Sequence, residues 1–379
     1  MNFDFTDEQL MIQETAREFA QAEIAPTAIE RDKNAEFPTE IVKKLGELGF
    51  LGIMIDPKYG GAGMDTISYV LAMIEISKVD ASVGVVMSVN NSLVCAGLQK
   101  YGSDYIKENY LSKLSTGEKL GAFALSEPEA GSDATKQHTT ADSDGDYFVL
   151  NGMKNWITNG TTADYYVVMA TTDKGKGHHG ITTFLVEKDT PGFTQGKKED
   201  KLGIRSSDTC SLSFENCRVP AKNIVWEEGK GFNFAMNILN GGRIGIAAQA
   251  VGIAEGSLDA AIKYSKERKA FGTEISNFQA IQFKLADMAV KVDAAKMMTL
   301  RSAALKDIGE KFYKEAAMAK LFSSKIAVEC ALDAIQIHGG YGYVREYQVE
   351  RFLRDSKITE IYEGTSEIQK MVIARTLLK

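Results

Sequence analysis

One carboxylate stands out by its setting. Glu363 lies in Ile361-Tyr362-Glu363-Gly364-Thr365-Ser366-Glu367, after an apolar, strand-like pair and before a glycine where a helix is expected to start. In an apolar cleft its pKa would rise, and it could take a proton near neutral pH. An acid at a helix start is equally favoured by the macrodipole, so position alone leaves both roles open. Arg243 sits among Gly241, Gly242, Gly245, Ala247 and Ala248. A guanidinium in such small, apolar company lies inside or at a cleft and needs an anion, from the protein or from a ligand. Arg268, in Glu267-Arg268-Lys269-Ala270-Phe271-Gly272, ends a helix on a basic cluster and reads as a solvated dipole complement. The stretch from Phe123 through Leu125, Ser126, Gly131 and Ser132 to Asp133 joins a strand to a polar loop. Its N–H groups and hydroxyls suit a pyrophosphate, or it is a plain loop. Trp156, beside Ile157 and Thr158, belongs to the core or covers a flat ring. Gly339-Gly340-Tyr341-Gly342 follows Gln336-Ile337-His338 and either lets a ligand approach the backbone or stops a helix. It is not Gly-x-Gly-x-x-Gly after a strand, so no nicotinamide fingerprint is present.

Three regimes of composition must position these residues. Up to about residue 115 the chain reads as helices. Thr6 and Gln9 form a capping-box pattern, and a helix from Pro38 carries Ile41, Leu45 and Leu48 on one face before Gly49. From Gly121 to Trp226 short strand runs dominate, at Tyr165 to Thr171, Ile181 to Glu187 and Cys210 to Phe214. Asn151-Gly152, between Tyr147–Leu150 and Lys154–Thr158, predicts a hairpin turn. No alternation with long helices is seen, which argues for an antiparallel sheet or barrel. Long helices return at Phe232 to Lys269, Asn277 to Lys306 and Lys311 to Ile337, with a last one from Ser366 to Leu378. The expected domains are 1–118, helical; 119–228, β; and 229–379, a helical bundle.

The chain has 379 residues, 44% hydrophobic and 25% charged, which suits a folded multidomain protein and excludes disorder. Its net charge of −7 disfavours nucleic acid or an anionic membrane as partner. The four cysteines and four histidines show no spacing for disulfides or metal. The first residues lack the basic start and apolar run of a signal peptide, and no window approaches a membrane span. A cytoplasmic location is expected.

Taken together and in order, these landmarks resemble the acyl-CoA dehydrogenase family along the whole chain. They are Tyr59-Gly60-Gly61, Leu125-Ser126-Glu127-Pro128 with Ala130-Gly131-Ser132-Asp133, Trp156-Ile157-Thr158-Asn159-Gly160, the Arg268 motif, Gln336 to Gly342, and Tyr362-Glu363-Gly364-Thr365. The segment Val86 to Leu93 further resembles the short-chain, butyryl-CoA branch. The resemblance implies an α+β multidomain fold: an N-terminal α-helical domain, a middle antiparallel β-barrel-like domain and a C-terminal four-helix bundle. It implies FAD, an acyl-CoA substrate and a homotetramer built as a dimer of dimers. The implied reaction removes an α-proton to a carboxylate and passes a β-hydride to flavin N5, giving a trans-2-enoyl-CoA. An electron-transferring flavoprotein then takes the electrons.

Residue roles follow from the same resemblance. Glu363 matches the base, and its N–H the donor to the thioester oxygen. Phe123, Leu125, Ser126, Trp156, Ile157 and Thr158 match contacts to the flavin, and Gly131 and Ser132 contacts near the pyrophosphate and CoA. Arg268, Phe278, Gln279, Gln336, Gly339 and Gly340 match residues that reach the FAD of a neighbouring subunit. Thr365 and Glu367 match contacts to the adenosine end. Asn240, Arg243 and Gly364 fall on the substrate side. Asn240 stands where relatives often carry Asp, Ser126 where Thr is common, and Glu129 where Gly is common. Some branches carry the base where this chain has Gly242, which leaves Glu363 as the candidate. The branch acting on glutaryl-CoA has an acyl-pocket Arg where this chain aligns Val85, which favours a monocarboxylic chain. The rival readings are an acyl-CoA oxidase using O₂ and a non-catalytic, nucleic-acid-binding member of the fold.

Overall fold

The computed structural model describes residues 4–378. Helix α1 (Asp7–Phe19) begins with the expected capping box: Gln9 N donates to Thr6 Oγ1 at 3.2 Å, and Thr6 N to Gln9 Oε1 at 3.0 Å. Helices α2 (Ala28–Asn34) and α3 (Thr39–Glu47) follow. Ile41, Val42 and Leu45 of α3 face inward, but Leu48 is past the helix end and 43% exposed. Helices α4 (Thr66–Val79) and α5 (Ala81–Ser88) are buried almost throughout. The α5 path continues through a wider π segment (Val89–Cys95) and a short α segment (Ala96–Tyr101). One expectation needs correcting here. Ala81–Tyr101 is long and apolar enough, with mean hydropathy 1.5, to pass for a membrane span by composition. Its window is 94% buried within the protein, so that apolarity belongs to the core.

Strands β1 (Gly121–Ala124), β2 (Thr140–Asp144), β3 (Tyr147–Thr158), β4 (Tyr165–Thr171), β5 (Ile181–Glu187), β6 (Phe193–Gln195) and β7 (Thr209–Pro220) form one sheet. Its order is β1-β4-β2-β3-β7-β6, with β5 also on β4. Antiparallel pairs dominate, but β1 and, at Thr140, β2 both run parallel to β4, so the sheet is mixed rather than purely antiparallel. The hairpin expected at Asn151-Gly152 is not there, because β3 runs straight through it. Gly152, at φ +144°, marks a register shift against β7, and a Cβ on it would stand 2.6 Å from Thr139 Cα. The glycine serves a bulge and a close backbone approach rather than a turn. The hairpin lies one strand earlier, where β2 turns into β3 past Gly145 at φ +62°.

The third part is helical: α6 (Gly231–Glu267), α7 (Gln279–Asp307), α8 (Tyr313–His338), α9 (Val349–Thr359) and α10 (Ser366–Leu377). Helix α6 packs against α8, α7 and α4. Its small residues permit this, since a Cβ on Gly252 would stand 2.6 Å from Ile74 O of α4. Helix α9 was not expected from the sequence. Val349, Phe352 and Leu353 keep the i, i+3, i+4 spacing of an apolar stripe, but the stripe is short and the buried side also takes Arg351 and Asp355. The charges are accommodated by one another and by backbone. Arg351 Nη2 donates to Val79 O at 2.8 Å, and Ile204 N donates to Asp355 Oδ1 at 2.6 Å. Helix α9 thereby ties the helical first part and the sheet region to the bundle.

Candidate active site

The chain leaves α9 through a tight turn. Ile361 N and Tyr362 N both donate to Ile358 O, at 2.9 and 3.1 Å, so this pair is helix end and turn rather than strand. Glu363 then takes φ +52° and Gly364 φ +95°. A left-handed glutamate costs on the order of 1–3 kcal/mol and persists only where its surroundings enforce it. The carboxylate lies against α6: a Cβ on Gly242 would stand 2.0 Å from Glu363 Oε2 and 2.8 Å from Leu93 Cδ2. The missing side chain at 242 is the space the carboxylate occupies, so a side chain there would displace it. Glu363 Oε2 is sealed from solvent and has no hydrogen-bond partner among the described residues. Burial pushes its pKa up to about 7, against the opposing pull of Lys320 and Arg243. The Glu363 N–H donates to no protein acceptor among the described residues.

Arg243 is 5% exposed, as its apolar neighbours in the sequence require. Its Nη1 donates to Asn240 Oδ1 at 2.6 Å, while its Nε is buried without a partner. Both residues lie on α6, one turn apart, on the same stretch as Gly242. A buried cation with donor capacity to spare fits an anionic or carbonyl-bearing ligand.

The sheet supplies a second set. Phe123 lies on β1, and Leu125 and Ser126 just past its end. This loop is docked on β3 by Asn155 N donating to Ser126 O at 2.9 Å and Lys154 Nζ donating to Leu125 O at 3.2 Å. Trp156, on β3, is at φ +60° and 62% exposed, which removes the core reading of this residue. Ile157 beside it is buried, and Thr158 is half-buried in register with Thr209 of β7. An indole held out of a sheet on strained backbone, next to a pinned polar loop, fits a flat heteroaromatic ring.

Sequence reasoning missed what lies beneath that loop. Lys154 is fully buried and donates to Glu127 Oε1 at 2.8 Å and Gln137 Oε1 at 2.9 Å as well as to Leu125 O. Glu127 also accepts from His138 N at 2.5 Å and Thr139 N at 3.1 Å. Burial alone would raise the Glu127 pKa, but Lys154 and these donors bring it below the ordinary value. The available signal was parity. Lys154 shares its strand face with inward-facing Phe148 and Leu150, an unusual place for a lysine.

The remaining residues fall into separate places. Gly131 and Ser132 are exposed in the loop after β1. Thr365 caps α10 by accepting from Ile368 N at 3.4 Å, and Glu367 is exposed in its first turn. Both line a cavity of about 840 Å³ with Met298, Met318 and Lys370. Arg268, Gly339 and Gly340 line another, of about 560 Å³, with Tyr264, His338 and Tyr341. The Arg268 guanidinium lies over the Tyr341 ring, 5.5 Å from its centroid, so its basic cluster is not merely solvated. Gln336 and Gln279 are exposed nearby in sequence, and Phe278 is half-buried. Buried His338 stacks on Tyr264 at 4.2 Å, a contact the sequence did not announce. Within one chain the Arg268 cavity shares no lining residue with the Thr365 cavity.

The acyl-CoA dehydrogenase N-terminal, middle and C-terminal domain models match residues 6–118, 122–217 and 229–378. The short-chain specific acyl-CoA dehydrogenase, mitochondrial, of Rattus norvegicus is 52% identical over 97% of this chain and 90% of its own length. The structure of butyryl-CoA dehydrogenase from Megasphaera elsdenii is 48% identical, with a TM-score of 0.99 over 100% of both chains. A chain from a structure described as the electron transferring flavoprotein of Acidaminococcus fermentans, towards a mechanism of flavin-based electron bifurcation, is 50% identical, with a TM-score of 0.99 over 100% of both chains. With family models covering most of its length and relatives at half identity, the chain belongs to the acyl-CoA dehydrogenase family.

Proposed function

We propose that this protein is an FAD-dependent dehydrogenase of short-chain acyl-CoA thioesters, of butyryl-CoA type, forming trans-2-enoyl-CoA. The observation that carries the reading is Glu363: a carboxylate with a raised pKa and a sealed Oε2, which, like the N–H beside it, has no hydrogen-bond partner among the described residues. The α-proton of a thioester is a weak acid. Its removal needs a base poised near neutrality and stabilisation of the enolate oxygen. Glu363 supplies the base in its carboxylate and a donor in its N–H. Arg243 and Asn240 hold the CoA side of the substrate on α6. The pinned Leu125–Ser126 loop, Trp156 and Thr158 would hold the flavin ring, with Phe123, Ile157, Gly131 and Ser132 around it and Thr365 and Glu367 towards the adenosine. Bound there, the flavin supplies the acceptor for the hydride that leaves the β-carbon. The lining of the second cavity, Arg268, Gly339 and Gly340, would reach the cofactor of a neighbouring subunit in a homotetramer, with Phe278, Gln279 and Gln336. The short-chain and butyryl-CoA relatives support the substrate class, and the flavoprotein neighbour supports an electron-transferring flavoprotein as acceptor.

The test is anaerobic flavin bleaching by saturated acyl-CoA thioesters. The purified protein is expected to carry FAD and to bleach fastest with butyryl-CoA. Specificity constants rising steadily to dodecanoyl-CoA would overturn the substrate class. Peroxide released stoichiometrically in air, without an added acceptor, would favour an oxidase instead.

A further inference from the structure

Lys320 of α8 is fully buried, and the mechanism above gives it no role. A lysine inside a protein normally pairs with a carboxylate. Among the described residues Lys320 has no carboxylate oxygen within ion-pair distance. Its Nζ donates instead to the main-chain carbonyl of Gly364, at 2.8 Å. That carbonyl takes a second donor, Gln369 Nε2, at 2.7 Å, which also reaches Glu363 O at 3.3 Å. Gln369 is itself fully buried, on α10. Two buried polar side chains from two helices thus converge on the carbonyl of Gly364, the residue that follows Glu363. For stability alone the arrangement is a poor one, because an apolar side chain would fill the space of Lys320 without stranding an ammonium.

The carbonyl they grip closes a left-handed turn whose strained residue is Glu363. Glu363 is at φ +52° and Gly364 at φ +95°, and a Cβ on Gly364 would stand 2.8 Å from Gln369 Nε2. Released from this grip, Glu363 would gain by relaxing to ordinary backbone, and both its carboxylate and its N–H would turn. We propose that Lys320 is a positioning residue for Glu363: with Gln369 it clamps the Gly364 carbonyl and so locks the left-handed turn that aims the carboxylate and the N–H of residue 363 into the cleft. The inference rests on the reading of Glu363 as the base.

The charge of Lys320 acts in the same direction. The groups facing Glu363 are Lys320 from α8, Arg243 from α6, Tyr69 from α4 and its neighbour Tyr362. Burial keeps both tyrosines neutral, so the two cations alone favour the carboxylate form. Burial also pushes Lys320 down to about 8, with Glu363, Glu360 and Glu367 opposing that shift and Arg243 adding to it. Near neutral pH it therefore still carries its proton. Removing its charge must raise the pH at which Glu363 ionises.

The experiment is anaerobic stopped-flow bleaching of the holoenzyme by butyryl-CoA across pH, with substrate affinity and FAD content measured alongside. Lys320→Met is expected to slow bleaching at pH 7 by about tenfold or more. It should also move the pH midpoint up by roughly half a unit or more. Butyryl-CoA affinity should stay within about threefold, and Lys320→Arg should restore the midpoint. Gln369→Met removes a clamp donor without removing charge, so it should slow bleaching and leave the midpoint in place. A Lys320→Met enzyme that keeps FAD, rate and midpoint overturns the proposal. If that variant does not fold, a wild-type rate in Gln369→Met overturns it. Glu363→Gln separates the two levels. A fast Glu363→Gln enzyme defeats the base itself, whereas a dead one beside a normal Lys320→Met enzyme defeats only the clamp.

Discussion

Two glutamates, Glu127 and Glu363, lie near a buried lysine, and the fold treats them in opposite ways. Glu127 receives Lys154 Nζ, His138 N and Thr139 N, and its pKa falls below the ordinary value despite burial. Glu363 has an orphaned Oε2, its lysine is spent on a carbonyl, and its pKa climbs to about 7. Residue type is shared and the partners differ: Glu127 has a direct ion pair with Lys154 and two main-chain donors, whereas Lys320 and Arg243 act on Glu363 only through their charge. A carboxylate with its acceptors filled is a fixed ion, fit to anchor a loop. One left unfilled can take a proton and give it back, which is what a general base must do.

The signs of their pH effects differ accordingly. Glu127, with a depressed pKa, stabilises the fold above the ordinary carboxylate value near 4.5, and this is lost as pH falls through its lower folded value. Glu363, with a raised pKa, burdens the fold increasingly as pH rises from about 4.5 towards about 7. Stability is given up at the second site in exchange for reactivity.

The sharpest way to break this comparison is Glu363→Gln. It should cost about 10²–10⁴-fold in flavin reduction by butyryl-CoA, read by stopped-flow, since the amide cannot accept the proton. Its urea midpoint should be unchanged or slightly higher, because an unsatisfied buried ion has been removed. In the unsubstituted enzyme the reduction rate should rise with pH through about 7 as Glu363 ionises. A rate within threefold of the unsubstituted enzyme would put Glu363 in the same class as Glu127. The mirror experiment is Lys154→Met. It strands Glu127 and should destabilise by about 3–5 kcal/mol, measured by urea unfolding, with FAD released more readily as the Leu125–Ser126 loop loosens. An unchanged midpoint would mean that the backbone donors alone satisfy Glu127. Gly242→Ala is a smaller change. The atoms nearest the new Cβ are the ends of the Glu363 and Leu93 side chains rather than backbone, so the fold should tolerate it. The carboxylate must move, and flavin reduction should fall by about 10²-fold with CoA binding nearly kept. Loss of stability rather than rate would show that Glu363 is held as firmly as Glu127.

Much of the site was legible in the chain because its signals are local. Tyr362-Glu363-Gly364-Thr365 places an acid, a glycine and a cap in consecutive positions, and the structure makes them a turn and a helix start. The small residues around Arg243 foretold its burial, and the long helices were found within a few residues of their ends. Asn151-Gly152 misled because the dipeptide that favours a hairpin turn also suits a bulge, and only Thr139 packed against Gly152 decides between them. Helix α9 was passed over because its apolar stripe, Val349, Phe352 and Leu353, spans little more than one turn, and its inner side also carries Arg351 and Asp355, whose acceptor and donor, Val79 and Ile204, come from elsewhere in the chain.

The sequence by itself determined which residue types were available: one carboxylate beside a glycine, an arginine among small neighbours, a tryptophan on a strand, and the order of helical and strand regions. Tertiary structure alone decided which of them are satisfied. Lys154 meets Glu127 across 27 positions, and Lys320 meets Gly364 across 44. Hydrogen bonds over such distances are closed by the packing of sheet and helices and leave no periodic trace in the chain. The same packing leaves Glu363 Oε2 without a donor among the described residues, and that lack separates a base from an anchor.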